Sequence, residues 1–525
     1  MKINFGRLLL QTARLYAGKE ALVNVERNRR LSFMELHLLT NRICNMMKDR
    51  FGLQEGDAYA NLLENDNQSL FSYWVAKGEP TGLWLNYRDA FDEHIYQLDY
   101  VKPKLIFIEN ELIDKYYDSL RQREIQIVCM DKPAGEREGL HFFWDLVAGA
   151  KDSEADFEYE IEDHITHFRF TGGTTGKGKC AMYTLRNSYD AIYHLYGHPE
   201  AVVDEGTRLL HVTPVTHASA CLIMPAYFKG GTNYTLNIPD LKKMCEVIEK
   251  EKVNTTFVVP TLLYRLVDFG LEKLFDLSSL KYIMYGASPM SPAKLLILQE
   301  KFGNIFAQGY GSTEAWPPVV LLGKKEHLVE SEEEKKRLSS AGRALPGVEL
   351  IVVDENGKEV PAGELGEIWV RGPSVIKGYY RDPEQTAEGF SANGFWKSGD
   401  MGYLDKKGYV YIVDRKKDMI VSGGFNVYAI EVENAINSHP AVQQSAVVSV
   451  PHAEWGEAVH AEVVLKEGMT ATAEEIIEFC KGKIGKYKVP KSVALVSELP
   501  ASSVGKVLRR RVREKYWQGQ ERQVH

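Results

Sequence analysis

Strand and helix signals alternate along most of the chain, short glycine-punctuated strands take over after Gly347, and the alternation resumes on a smaller scale beyond Asp418. Together these predict a layered α/β protein of more than one domain. A length of 525 residues agrees, being long for a single core.

Ser32-Phe33-Met34-Glu35 reads as a capping box that opens an amphipathic helix through Leu36, Leu39, Ile43 and Met47. The stretches 103–108, 125–129 and 164–170 read as short strands, followed by 208–213, 253–259 and 280–286, each of these last three with a helix candidate behind it. Ser291 as N-cap and Pro292 at the first helical position start the clearest helix, which ends at Gly303. Beyond Gly347 come the strands 348–353, with a turn at Asp354-Glu355-Asn356-Gly357, and 366–371. The last unit holds helices over 430–436 and 474–480 and strands over 442–450 and 461–465.

Composition narrows the function. Hydrophobic residues at 44% and charged ones at 26% are ordinary for a soluble globular protein. A net charge of -8 argues against nucleic acid as partner and leaves small molecules as the better expectation. Cys44, Cys129, Cys180, Cys221, Cys245 and Cys480 are scattered without metal-ligand spacing, so reduced buried thiols are expected rather than disulfides or zinc. The first eleven residues carry only a three-residue apolar run, too short for a signal-peptide core, and no stretch approaches about 18 uninterrupted apolar residues. A cytoplasmic protein is therefore expected.

The chemistry concentrates in Phe170-Thr171-Gly172-Gly173-Thr174-Thr175-Gly176-Lys177-Gly178-Lys179, where a strand hands over to a loop. Glycines let backbone N–H groups approach an anion, threonine hydroxyls add donors, and lysines add charge. It is not the P-loop of NTPases: three residues, not four, separate Gly172 from Gly176, and Lys177 is followed by glycine. Alone, such a segment is more often simply a loop. The same holds for Gln308-Gly309-Tyr310-Gly311-Ser312-Thr313-Glu314, for the strand end Tyr285-Gly286-Ala287-Ser288, and for the charge cluster Asp414 to Asp418 after Ser398-Gly399-Asp400. Gly423-Gly424 reads equally as a β-turn, Lys506 in a basic tail as a solvated charge, and His217 as a core or cap histidine.

Their combination and order is what tells. The loop resembles the Thr-Ser-Gly-Thr-Thr-Gly-x-Pro-Lys-Gly signature of the AMP-forming acyl-CoA synthetases, the family that also holds peptide-synthetase adenylation domains and firefly luciferase. Gly172, Gly178 and Cys180 stand where that signature has Ser, Pro and Gly, and Ser398 stands where Thr is usual. The likeness covers roughly 168–511, and the first 150 residues more weakly. It implies a large N-terminal domain over 1–416, of layered α/β subdomains plus a distorted β-barrel, and a small mobile α+β domain over 417–525.

It also implies roles. Thr171, Gly173, Thr175, Gly176 and Lys179 would cradle ATP phosphates, and Thr174 and Glu314 would ligate Mg²⁺. Gly286, Ala287 and Ser288 would line the adenine and acyl pockets, Tyr310 would pack on adenine with Gly309 and Gly311 also among the cofactor-binding residues, and Thr313 would face phosphate. Asp400 would accept the ribose hydroxyls, with Arg415 beside it and Lys417 as hinge. Gly423 and Gly424 would border the coenzyme A tunnel, His217 would gate the carboxylate pocket, and Lys506 would bridge carboxylate and α-phosphate. The expected reaction is ATP-dependent joining of a fatty, aryl or cyclic monocarboxylic acid to CoA through an acyl-adenylate. Two rivals stay open: transfer to a carrier protein, and a nucleotide-binding regulator without turnover. The oligomeric state is not legible, a homodimer being one arrangement.

Overall fold

The structure, a computed structural model, describes residues 1–72, 74–132, 137–171, 178–200, 203–422, 424–452, 455–502 and 506–518. Contacts divide it into two compact units. One comprises Met1–Phe257, Gly311–Pro318 and Pro373–Glu388; the other comprises Val258–Tyr310, Val319–Gly372 and the chain from Gly389 onward.

The first unit carries a seven-stranded sheet in the order Cys180–Thr184, Ile165–Phe170, Thr81–Asn86, Ala58–Leu63, Leu105–Ile108, Gln126–Cys129 and Leu140–Phe142. All pairs are parallel except the first. Parallel strands need crossovers and cover on both faces, so they read as unbroken apolar runs such as Leu105-Ile106-Phe107-Ile108, which is wholly buried. Leu62, Leu83, Leu85, Ile106, Ile108 and Ile127 build the core. Each such side chain contributes about 1.5–3 kcal/mol by leaving water. A second set of strands pairs Arg208–His211 in parallel with Thr232–Thr235 and Thr255–Val258. The capping box forms as expected: the Ser32 hydroxyl accepts from Glu35 N, the Glu35 carboxylate accepts from Ser32 N, and the helix Phe33–Phe51 runs to a left-handed Gly52.

In the second unit Tyr282–Gly286 pairs in parallel with Phe306–Tyr310. From there an antiparallel run follows through Val320–Leu322, Gly342–Ala344, Tyr409–Arg415, Trp396–Leu404, Gly366–Arg371 and Glu349–Val353. It occupies the stretch where glycine-punctuated strands are expected. Gly342 shows why a glycine is needed there: its φ is +105°, and a Cβ would lie 2.1 Å from the Leu321 carbonyl. We expect Gly342→Ala to destabilise this unit by about 2–5 kcal/mol, strain and overpacking together. Urea unfolding checks it; an unchanged midpoint would mean that the strand shifts at no cost.

The same unit ends in a small α+β fold. Val442–His452 and Gly456–Leu465 form a long antiparallel pair, with Ser492–Leu495 added in parallel and the hairpin Ile420–Ser422 and Phe425–Val427 joined at Ser422. The helices Ala429–Asn437 and Ala473–Lys481 supply Val432, Ile436, Ile476 and Cys480 to its core. Strand Val442–His452 is held to the helices Pro260–Asp268 and Pro292–Phe302: the buried Lys294 amine donates to the Gln443 carbonyl, and Gln444 Nε2 donates to Thr261 Oγ1 at 3.2 Å.

Candidate functional site

Two clusters, one in each unit, gather most of the expected residues. In the first, residues 172–177, with Gly173, Thr174, Thr175 and Gly176, lie outside the described residues, while Thr171 and Lys179 on either side are bonded to each other. Thr171 N donates to Lys179 O at 2.9 Å, and Lys179 N donates to Thr171 Oγ1 at 3.2 Å. A Cβ on Gly178 would sit 2.4 Å from Thr171 O, so glycine suits this neck. Lys179 then reaches over the ring of Tyr379, Nζ 4.9 Å from its centroid, and the Tyr379 hydroxyl donates to Glu314 Oε1 at 3.0 Å.

Glu314 sits on a tight turn. The Ser312 hydroxyl accepts from the N–H groups of Glu314 and Ala315, both at 3.1 Å, and a Cβ on Gly311 would meet Ala315 O at 2.8 Å. The Thr313 carbonyl accepts from the Tyr183 hydroxyl. A carboxylate oxygen is a suitable hard donor for Mg²⁺, which commonly completes its shell with water and phosphate. Among the described residues no cluster of three or more His, Cys, Asp or Glu could hold a metal by itself.

His217, also in the first unit, has its Nδ1 3.0 Å from Thr216 Oγ1. Burial, then the guanidinium groups of Arg169 and Arg88, push its pKa down to about 4, so near neutral pH it is an uncharged imidazole, able to donate or accept a hydrogen bond. Arg169 is a feature that motif reading missed. It is buried near the end of the strand Ile165–Phe170, with its guanidinium 3.8 Å from the ring centroid of Trp316, 4.4 Å from that of Trp84 and 5.4 Å from that of Tyr183.

The second cluster is built on paired strand ends. Gly286 lies opposite Gly309 in register, so two adjacent positions carry no side chain and leave a flat floor. Ala287 follows in the left-handed region at φ 65°, uncommon for a non-glycine residue, and Ser288 is half-buried. The Tyr310 hydroxyl donates to Asp400 Oδ2 at 2.6 Å, while Arg415, directly opposite Asp400 across the strand pair, holds Oδ1 through Nε at 2.6 Å. Ser398, where threonine was usual, donates to Ile368 O at 2.5 Å and accepts from Asp400 N at 2.9 Å, so the hydroxyl needed here is kept.

Lys506 belongs to this cluster. The residue is exposed, yet desolvation of its amine, and then the Arg415 guanidinium, pull its pKa down to about 8 against the opposing carboxylate of Asp400. Its backbone is bonded twice to Ser502: Ser502 N donates to Lys506 O at 2.7 Å, and Lys506 N donates to Ser502 Oγ at 3.1 Å. Lys417 is exposed two residues past Arg415. Gly424 has φ +80° just before the strand Phe425–Val427, and Gly423 lies outside the described residues.

A side-chain-free floor, an aspartate that accepts the Tyr310 hydroxyl and an arginine beside it are thus brought together in the second unit. In comparison with known proteins, the pattern of the AMP-binding enzymes matches residues 9–380, and that of the AMP-binding enzyme C-terminal domain matches 431–506. The chain belongs to the AMP-binding enzyme family, which bears out the resemblance seen in the sequence. An indoleacetate–CoA ligase of Aromatoleum aromaticum is 31% identical over 509 residues, 96% of either chain. A medium/long-chain-fatty-acid–CoA ligase, FadD8, of Mycobacterium tuberculosis is 38% identical over 372 residues, which are 69% of this chain and 63% of that one. Among solved structures, ATP-bound MatB from Rhodopseudomonas palustris aligns with a TM-score of 0.84 at 29% identity, covering 97% of this chain and 99% of that one. Among the described residues no helix is long and apolar enough to cross a membrane.

Proposed function

We propose that this chain is an ATP-dependent carboxylic acid–CoA ligase that works through an acyl-adenylate, with a fatty, aryl or cyclic monocarboxylic acid as substrate. The acid's carboxylate attacks the α-phosphorus of ATP and pyrophosphate leaves. The CoA thiol, losing its proton, then attacks the acyl carbon and AMP leaves. Adenylation gives the second step a good leaving group where a bare carboxylate would have to expel oxide. The observation that carries the reading is the Tyr310–Asp400–Arg415 arrangement with Lys506 beside it.

Asp400 accepts the ribose hydroxyls, Gly286, Ala287, Ser288 and Gly309 leave room for the adenine, and Tyr310 packs on it with Gly311 at its side. Lys506 offsets the negative charge that builds up as carboxylate and phosphate meet, and such placed charge supplies most of the rate. Thr171, Gly173, Thr175, Gly176, Lys179 and Thr313 hold the phosphates, and neutral His217 borders the acid. Glu314 and Thr174 would hold Mg²⁺, which supplies positive charge to the phosphates when bound. The segment after Lys417 acts as the mobile domain, with Gly423 and Gly424 bordering CoA. Six buried cysteines suit a reducing, cytoplasmic setting.

Incubation with Mg·ATP and a panel of aliphatic, aromatic and dicarboxylic acids, with and without CoA, tests this. CoA-dependent AMP and thioester with one class of acid is the expected result. Pyrophosphate without any thioester would replace CoA by a carrier protein as acceptor, and no turnover with ATP still bound would make the chain a regulator.

A further inference from the structure

A strap over residues 373–380 is bonded on both sides. Towards the acidic turn, Trp316 N donates to Ser374 O at 3.0 Å and Ile376 N donates to Glu314 O at 2.9 Å. Towards the strand Cys180–Thr184, Met182 N donates to Gly378 O at 3.0 Å and Tyr380 N donates to Cys180 O at 2.7 Å, with Ala181 bridged to Tyr379. Asn187 Nδ2 adds donations to Pro373 O and Val375 O, both at 2.7 Å. The strap thus ties the strand that leaves the Gly/Thr loop to the turn that carries Glu314. Tyr379 is the side chain that touches a functional group from each.

The geometry points to Tyr379 as a positioning residue with two tasks. Its hydroxyl, 3.0 Å from Glu314 Oε1, fixes the rotamer of that carboxylate and leaves Oε2 to face a cation. Its ring, with Lys179 Nζ 4.9 Å from the centroid, gives the ammonium a resting place on the aromatic face. The second task follows from what the ring prevents. Lys179 and Glu314 are opposite charges on flexible stems that approach the same tyrosine, and without it they are free to pair. Such a pair would neutralise the cation meant for phosphate and the carboxylate meant for metal in one contact. Tyr379 is buried, 4% exposed, and its backbone N–H donates to Thr386 Oγ1 at 3.0 Å, so the main chain that carries the side chain is anchored. This assignment rests on the ligase reading, in which Glu314 takes a divalent cation and Lys179 a phosphate.

The test uses the full chain and Mn²⁺ as a spectroscopic stand-in for Mg²⁺. Mn²⁺ binding in the presence of ATP is followed by electron paramagnetic resonance, and pyrophosphate release is followed against Mg²⁺ concentration. Tyr379→Phe keeps the ring and drops the hydroxyl. It is expected to weaken Mn²⁺ binding about tenfold and raise the half-saturating Mg²⁺ equally, with the maximal rate within a few-fold of native. Tyr379→Leu also loses the ring, and its Mn²⁺ affinity is expected to fall further and to recover in part when Lys179→Met is added. Native-like Mn²⁺ affinity and Mg²⁺ dependence in Tyr379→Phe would overturn the assignment alone. Failure of the native chain to bind Mn²⁺ with ATP would sink the ligase reading, and the assignment with it.

Discussion

Lys506→Ala is expected to slow adenylate formation by about 10²–10³-fold, the usual cost of losing one placed charge or donor at a developing anion. Thioester formation from acyl-adenylate supplied ready-made is expected to stay within a few-fold of native, because the CoA step has no use for that charge. The split separates a catalytic lysine from a merely structural one, whose loss would slow both steps. A pH arm follows from the same group. The amine is pulled down to about 8 by desolvation and by Arg415, and the protonated form is the one that works. Adenylation by the native chain is therefore expected to be level below the amine's pKa and to decline as pH rises through it. Bound anionic substrates move that limb upward, since negative charge favours the ammonium. Lys506→Arg keeps its proton throughout this range, so its slower reaction is expected to lack the alkaline limb. Pyrophosphate release from pH 6 to 10 measures both. An undiminished rate in Lys506→Ala would remove the lysine from the mechanism.

The sequence spoke most clearly where a local cause decides the structure. The capping box at Ser32, the helix from Pro292 to a Gly303 at φ +73°, and the turn closed by Gly357 N on Asp354 O all form where their residue types place them. Even so, Ser291 stands in the N-cap position without its side chain making the capping bond, and its backbone N–H donates to the Tyr264 hydroxyl, a tertiary contact that no local rule contains. The site was legible through its family signature and far less from first principles. Gly286 and Gly309 become a flat floor only once their strands pair in register, and Asp400 meets Arg415 only across a strand pair. Tyr379 escaped because its meaning lies in a strap bonded to two distant segments; within the chain it is one tyrosine after a glycine. Arg169 escaped for the opposite reason. A buried arginine inside a strand runs against the apolar pattern, and the rings of Trp84, Tyr183 and Trp316 that receive it come from three other places in the chain.

Arg509→Met is expected to destabilise the small α+β fold by about 3–5 kcal/mol, because it removes one partner of a buried ionic cluster and leaves the others uncompensated. The guanidinium joins Asp414 Oδ1 at 2.9 Å to both oxygens of Glu433, at 2.8 and 2.5 Å. Asp414 is fully buried and spends its remaining acceptor capacity on Ala429 N at 2.6 Å and Arg415 N at 2.8 Å. Burial already raises the Asp414 pKa, with Arg509 opposing the rise, so the variant's carboxyl is expected to climb further and to take a proton at mildly acidic pH. The sign follows: the deficit is largest at alkaline pH, where the carboxylate is charged and lacks its guanidinium, and shrinks as pH falls. Adding Asp414→Asn removes that stranded charge, and the double variant is expected to recover much of the loss, which separates the ionic account from simple loss of packing. Arg509 also lies three residues beyond Lys506 and ties that segment to the stretch that carries Arg415. Arg509→Met is accordingly expected to lose adenylation before it loses fold, and denaturant unfolding run beside pyrophosphate release at pH 6 and 9 reads both effects. Equal stability of variant and native chain at pH 9 would mean that Asp414 finds another partner, and that the cluster does not hold Lys506 in place.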